Sequence, residues 1–259
     1  MHKMSNKLYG ILAAAAVLAL TACGSASQVA HYSLKVEKTL PHDKSAYTQG
    51  LFFENDLLYE SAGQYGFSSL RRVDLESGNV LQRADFEEKY FAEGSCILQG
   101  RLYMLTWLEG VCFVINPETF ETVKTFNHRR QGWGLTTDGK ALIMSDGSAQ
   151  LYFKNPETFA DERSVTVRLN GKSVNFLNEL EYIDGKVWAN VYGKTDILII
   201  DPLTGNVEGI VDCSQLEDML DTTDGIDVLN GIACRPATGE IFLTGKYWPN
   251  MFSVSLQQK

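Results

Sequence analysis

Glu93-Gly94-Ser95-Cys96-Ile97-Leu98-Gln99-Gly100-Arg101-Leu102-Tyr103-Met104-Leu105, followed after a short break by Val111-Cys112-Phe113-Val114-Ile115-Asn116-Pro117, decides the fold. Short apolar runs rich in β-branched and aromatic residues, punctuated by Gly and Asn-Pro, read as three successive strands with tight turns. The same order returns along the chain. Copies open at Gln49-Gly50-Leu51, Glu93-Gly94-Ser95, Trp133-Gly134-Leu135, Asn178-Glu179-Leu180 and Asn230-Gly231-Ile232, at intervals of 44, 40, 45 and 52 residues. Their third strands match as well: Ser69 to Asp74, Val111 to Pro117, Gln150 to Pro156, Ile197 to Pro202 and Met251 to Val254.

A unit of this length that makes four short strands cannot bury both faces alone, so radial packing of copies around an axis is the natural solution. The sequence predicts an all-β, five-bladed β-propeller. The fifth copy ends after three strands, while His31 to Leu40 is strand-like with no blade of its own. The N-terminal strand is therefore expected to close the last blade and cover its edge. Ser214 to Leu220, in the longest interval, has the start and period of a short helix lying over one face.

The 259 residues carry 23 Lys and Arg against 32 Asp and Glu, a net charge of −9. The densest basic clusters, Arg71-Arg72 and His128-Arg129-Arg130, are too small to supply the basic face that a nucleic-acid binder needs, so that class is set aside. Lys3 and Lys7 precede an uncharged apolar stretch, Leu8 to Leu20, shorter than a membrane span, and Leu20-Thr21-Ala22-Cys23 resembles a bacterial lipobox. The expected organisation is a lipoprotein signal peptide at 1–22, a tether at 23–30 beginning with lipid-bearing Cys23, and a catalytic propeller at 31–259. The expected location is the bacterial cell envelope, facing the periplasm, as a monomer. Export would permit disulfides, but Cys96 and Cys112 fall on first and third strands of one sheet, too far apart to bridge. Buried free thiols are the reading taken for Cys96, Cys112, Cys213 and Cys234.

First strands line the axis of a propeller, so the opening residues Gln49, Glu93, Trp133, Asn178 and Asn230 should converge on one funnel. A carboxylate, amides and an indole meeting there can hold a polar ligand and move a proton. Glu93, between Phe91 and Gly94, would titrate near neutrality if desolvated; from position alone it fits a strand or turn cap as well. Lys246 could turn inward as its counter-charge, although by itself it reads more readily as a solvated lysine. Trp107 and Trp133 fit the core or a pocket wall. Glu179 and Glu181 share one strand face, one expected to reach the channel and the other to be structural. No zinc spacing, Walker loop or Gly-x-Ser-x-Gly is present.

Tyr47-Thr48-Gln49-Gly50-Leu51, Phe91-Ala92-Glu93-Gly94, Leu105-Thr106-Trp107, Gly132-Trp133-Gly134-Leu135, Leu177 to Tyr182, Trp188-Ala189-Asn190-Val191, Leu229 to Ala233 and Thr244 to Pro249 resemble, in order, the motifs of the plant and bacterial glutaminyl-peptide cyclotransferases. The resemblance spans about residues 45 to 255. It implies a five-bladed propeller without cofactor or metal that closes an N-terminal glutamine of a peptide or protein into pyroglutamate and releases ammonia. Carried over by motif, Glu93 would be the general acid and base. Gln49, Asn178 and Lys246 would hold the amide and peptide carbonyls and the developing oxyanion. Phe91, Trp107 and Trp133 would wall the pocket, with Tyr47 and Tyr192 where Phe and Trp are usual in the family.

Two rivals remain at this level. One is a metal-dependent lactonase-like propeller, in which Glu93, Asn178, Asn230 and Asp146 or Asp224 would ligate a divalent cation. The other is a non-catalytic envelope scaffold whose funnel binds a peptide or an outer-membrane partner without turnover.

Overall fold

A computed structural model describes residues 28–259 of the chain; the signal segment 1–22, Cys23 and residues 24–27 of the tether lie outside the described residues. Strand β1 (Ala30–Pro41) comes first. The first blade is β2 (Thr48–Glu54), β3 (Leu57–Ala62), β4 (Ser69–Val73) and β5 (Val80–Asp85); the second is β6 (Ala92–Leu98), β7 (Arg101–Thr106), β8 (Val111–Ile115) and β9 (Thr122–Asn127). The third is β10 (Leu135–Thr137), β11 (Leu142–Ser145), β12 (Gln150–Lys154) and β13 (Asp161–Thr166), followed by a small hairpin, β14 (Arg168–Leu169) and β15 (Lys172–Ser173). The fourth is β16 (Leu177–Ile183), β17 (Lys186–Val191), β18 (Asp196–Ile200) and β19 (Val207–Asp212), and the fifth contains β20 (Leu229–Arg235), β21 (Glu240–Gly245) and β22 (Asn250–Gln258).

Local sequence explains the repeated hairpins. In the first, second and fourth blades the turns joining first to second strands are Asn55-Asp56, Gln99-Gly100 and Asp184-Gly185, each with φ positive at both residues, the tight geometry that matches strand twist. After third strands, the side chains of Asn116, Asn155 and Asp201 accept the backbone N–H groups two and three residues on, which accounts for the recurrent Asn-Pro or Asp-Pro at strand ends.

The first strands form a closed ring, β2 against β6, β6 against β10, β10 against β16, β16 against β20, and β20 back against β2. Five apolar clusters fill the wedges between neighbouring blades. Glycine at the second position of four of the five openings allows the inner strands to approach: a Cβ at Gly94 would overlap the backbone at Gly134-Leu135, and one at Gly134 the Asn178 carbonyl. The fourth copy has Glu179 there instead. Its carboxylate crosses the axis and accepts the N–H groups of Leu51 at 3.3 Å and Ile232 at 2.9 Å, tying three blades together.

The five blades and the closing N-terminal strand are present as expected. β1 pairs antiparallel with β22 and also parallel with β19, so the fourth and fifth blades become one continuous eight-stranded sheet, a join the repeat pattern does not reveal. The segment Ser214–Met219 is helical but of the tight 3-10 kind, burying Leu216 in the wedge between those blades. Cys96, Cys112 and Cys213 are buried free thiols, whereas Cys234 is only half-buried.

Candidate active site

At one end of the axis lies a cavity of about 270 Å³, lined by Tyr47, Gln49, Gln64, Phe91, Glu93, Trp107, Trp133, Asn178, Tyr192 and Lys246. That volume is at the small end for ligand sites and suits one side chain with its terminal amine. The eight non-lipidated binding candidates and Glu93 all meet here. Asn230 does not: it is fully buried beneath the cavity, where its Nδ2 donates to the Thr48 carbonyl at 2.8 Å and to Gln49 Oε1 at 3.2 Å.

Glu93 is the second residue of β6, and its 4% exposure faces the cavity. Its carbonyl accepts the Ser61 hydroxyl at 2.6 Å, and Oε1 accepts Gln49 Nε2 at 3.0 Å. The other carboxylate oxygen has no protein donor among the described residues. Burial pushes the Glu93 pKa well above the usual carboxylate range; Lys246 pulls it down and Glu109 adds to the rise. The Gln49 amide is thus committed to Glu93 on one side and Asn230 on the other, with one N–H left for a ligand.

Lys246 turns inward and is 2% exposed, where the resemblance put it and not at the surface as the residue alone reads. It follows β21, where the chain doubles back through Tyr247, whose φ is +61°, before Trp248 enters the core. Its ammonium stands 4.5 Å from the centre of the Tyr47 ring and 5.2 Å from that of Tyr192. Burial lowers its pKa, opposed by Glu93 and Asp227. Asn178, at the start of β16, is fixed through its backbone carbonyl, which accepts the Ser145 hydroxyl at 2.8 Å. Its buried carboxamide faces the cavity with no protein hydrogen bond among the described residues.

The walls are aromatic rings packed edge to face: Tyr47 on Phe91, Phe91 on Trp107, and Trp133 on Tyr192. Tyr47 donates its hydroxyl to Asp227 at 3.0 Å, and burial with that carboxylate raises its pKa. Gln131 Oε1 accepts the indole N–H of both Trp107 and Trp133, each at 3.0 Å. Gln131 and Gln64 were not foreseen. Gln64 sits in the β3–β4 turn outside the first-strand register, and Gln131 stands two residues before Trp133, where only a pairwise tertiary contact gives it meaning.

Glu179 and Glu181 were expected to divide between channel and structure, but both point to the axis. Glu181 accepts the Cys234 N–H at 3.1 Å near a wider opening of about 540 Å³ at the opposite end, and burial pushes its pKa to about 8. The lactonase ligand set does not assemble. Asp146 bonds its own turn at Ser148, Asp224 is exposed, and Asn230 is below the floor.

The sequence profile described as glutamine cyclotransferase matches residues 10–256. A glutaminyl-peptide cyclotransferase of Arabidopsis thaliana is 42% identical over 241 residues, covering 91% of this chain and 75% of that protein. The crystal structure of Myxococcus xanthus glutaminyl cyclase superposes with a TM-score of 0.85 at 37% identity, covering 90% of this chain and all of that one.

Proposed function

The chain belongs to the glutamine cyclotransferase family and cyclises the N-terminal glutamine of peptides to pyroglutamate with release of ammonia; from that premise we propose that Glu93 is the group that moves the protons. The observation that carries this reading is a carboxyl group buried on the cavity floor, with one oxygen held by Gln49 and the other free for substrate.

The neutral α-amine of the bound glutamine attacks its own side-chain carbonyl carbon. A C–N bond forms, the carbonyl π pair moves onto oxygen, and the Glu93 carboxylate takes the proton from the attacking nitrogen. The intermediate then collapses: the bond to the carboxamide nitrogen breaks as Glu93 returns the proton to it, and ammonia leaves. Ring closure is intramolecular, so the pocket mainly has to hold a reactive rotamer and manage that proton. The Lys246 ammonium and the uncommitted Asn178 amide stabilise the oxyanion. Burial that raises Glu93 and lowers Lys246 brings both toward the pH where a proton is exchanged readily. The aromatic walls exclude the water that would otherwise hydrolyse the amide to glutamate.

Glu93→Gln keeps the shape and hydrogen-bonding capacity but cannot accept the proton. In a coupled ammonia-release assay with a Gln-Xaa dipeptide, kcat/KM is expected to fall at least about 100-fold with thermal stability retained. Activity within tenfold of wild type would overturn the assignment. The same reading has the chain exported and lipidated at Cys23 as a monomer, with the propeller in the periplasm, on the strength of the Leu20-Thr21-Ala22-Cys23 pattern behind an apolar stretch.

A further inference from the structure

We infer that Asn230 is a positioning residue for the cyclisation: its side-chain amide fixes which way round Gln49 lies and, through Gln49, presents the catalytic carboxylate in its hydrogen-bonded, substrate-ready orientation. This rests on Glu93 being the proton carrier.

The orientation starts from a group that cannot turn over. The Thr48 carbonyl belongs to the backbone and can only accept, so the Asn230 atom 2.8 Å from it must be the NH₂ group. The same nitrogen lies 3.2 Å from Gln49, which must therefore offer its oxygen. Gln49 is then left with its nitrogen toward Glu93, at 3.0 Å. A donor is thus guaranteed on one carboxylate oxygen. A flipped Gln49 would set oxygen against oxygen and disfavour the charged form.

The backbone is bent to put Asn230 there. The β20–β21 register shift between Leu229 and Ile232 recurs at β2, β6 and β16, but Gly231 has φ +118°, outside the range of ordinary side-chain-bearing residues, whereas Gly50, Gly94 and Gly134 do not have positive φ. The Gly231 N–H is held at 3.0 Å by Asn190 Oδ1. Asn230 Oδ1 and Asn190 Nδ2 are buried without a hydrogen-bond partner among the described residues. Buried polar atoms left this way oppose folding, and a position with only a packing task would be filled better by an apolar side chain. The unused Asn230 oxygen is the cost of having its nitrogen where Gln49 needs it.

The charged and titratable groups around Glu93 come from other elements: Lys246 after β21, Glu109 after β7, Tyr47 before β2 and Tyr65 after β3. None of them hydrogen-bonds the Gln49 amide, so a charge-neutral change at Asn230 separates that orientation from the surrounding field.

The test uses the full chain with a Gln-Xaa dipeptide. Asn230→Asp reverses the polarity of the nitrogen that faces Gln49 while keeping its size. It is expected to lower kcat about 10- to 100-fold with KM within about threefold, a range typical of groups that orient a reacting ligand. The acid limb of the kcat–pH profile should move to higher pH, and the move should shrink in a Gln49→Ala background, because the like charge of the new carboxylate acts with or without Gln49 whereas a turned Gln49 amide does not; a shift of full size in that background overturns the inference. Asn230→Ala removes the constraint without reversing it and is expected to cost less than tenfold, since Gln49 can still donate. Its loss should vanish in a Gln49→Ala background. A folded Asn230→Asp protein with wild-type kcat and pH profile overturns the inference, as do equal losses in Asp and Ala variants with no pH shift. If Asn230→Asp fails to fold, the cycle with Gln49→Ala decides, additive losses being the overturning result. Retained activity in Glu93→Gln would instead sink the proton-carrier reading itself, so the two failures are distinguishable.

Discussion

Gln131 is the smallest device at the mouth: one carbonyl oxygen accepting two indole N–H groups, from Trp107 and Trp133, at 3.0 Å each. The two rings lie on different blades, and this shared acceptor ties one wall to the other. Gln131→Ala frees both at once. Each lost hydrogen bond is worth roughly 1 kcal/mol, so KM for a Gln-Xaa dipeptide should rise about three- to tenfold while kcat stays within about twofold, because no group near the proton path moves. Steady-state kinetics check this, and an unchanged KM would show that the walls are set by packing alone. The contrast with Glu93 explains what was legible. Glu93, Gln49 and Asn178 occupy equivalent places in a repeat whose first strands must line the axis, so counting residues was enough to bring them together. Lys246 turns inward through a strained turn at Tyr247, Gln131 acts through its partners, and Asn230 passes beneath the floor beside Gly231 at φ +118°, although its strand carries the same register shift as those of Gln49, Glu93 and Asn178. Strand periodicity carries no signal for such departures.

At the scale of elements, closure of the ring depends on the link between β1 and β2. His42, just after β1, has Nδ1 2.7 Å from the Trp248 carbonyl and Nε2 3.0 Å from Glu60 Oε1. Both neighbours are acceptors, and that Glu60 oxygen already takes the Thr48 hydroxyl at 2.7 Å, so the imidazole donates on both sides and is a cation. Burial opposes this charge, but Glu60 outweighs it and the His42 pKa is raised above 6.5. Burial likewise works against ionised Glu60, yet His42 and Arg71 hold its pKa below 4.5. A raised histidine contributes fully below its unfolded value and loses that contribution as pH climbs through its folded value; a depressed carboxylate contributes above its unfolded value and loses it as pH falls. The pair therefore stabilises the closed ring most between about pH 4.5 and 6.5. His42→Gln should be about 3 kcal/mol less stable at pH 6, read from urea midpoints, with the gap shrinking toward pH 9. A gap equal at both pH values would mean that His42 is not charged in the fold. The need for a closing strand was legible from a fifth copy one strand short. The double pairing of β1 was not, because a parallel partner in the preceding blade leaves no mark on a repeat of antiparallel hairpins.

The whole molecule has two unlike ends. β1 and β22 run antiparallel, with Pro41 opposite Asn250, just beyond the pocket lysine, and Tyr32 opposite Gln258. Leu256, near the end of β22, lines the opening at the other end of the axis, with Leu34 as its partner on β1. The chain therefore enters the propeller at the end remote from the active-site mouth. From Cys23 to Val29 an extended chain reaches at most about 25 Å. A lipid on Cys23 would hold the ring with its far end toward the bilayer and the pocket turned outward, open to folded protein substrates as well as peptides. Cys23→Ser should move the protein from the membrane to the soluble fraction. Its kcat/KM should match that of the anchored form in lipid vesicles within about threefold, on a Gln-Xaa dipeptide and on a folded protein beginning with glutamine. If the variant stayed in the membrane fraction, Cys23 would not be the anchor. If the anchored form lost tenfold or more on the protein substrate alone, the mouth would have to face the bilayer, against the direction in which β1 enters the ring.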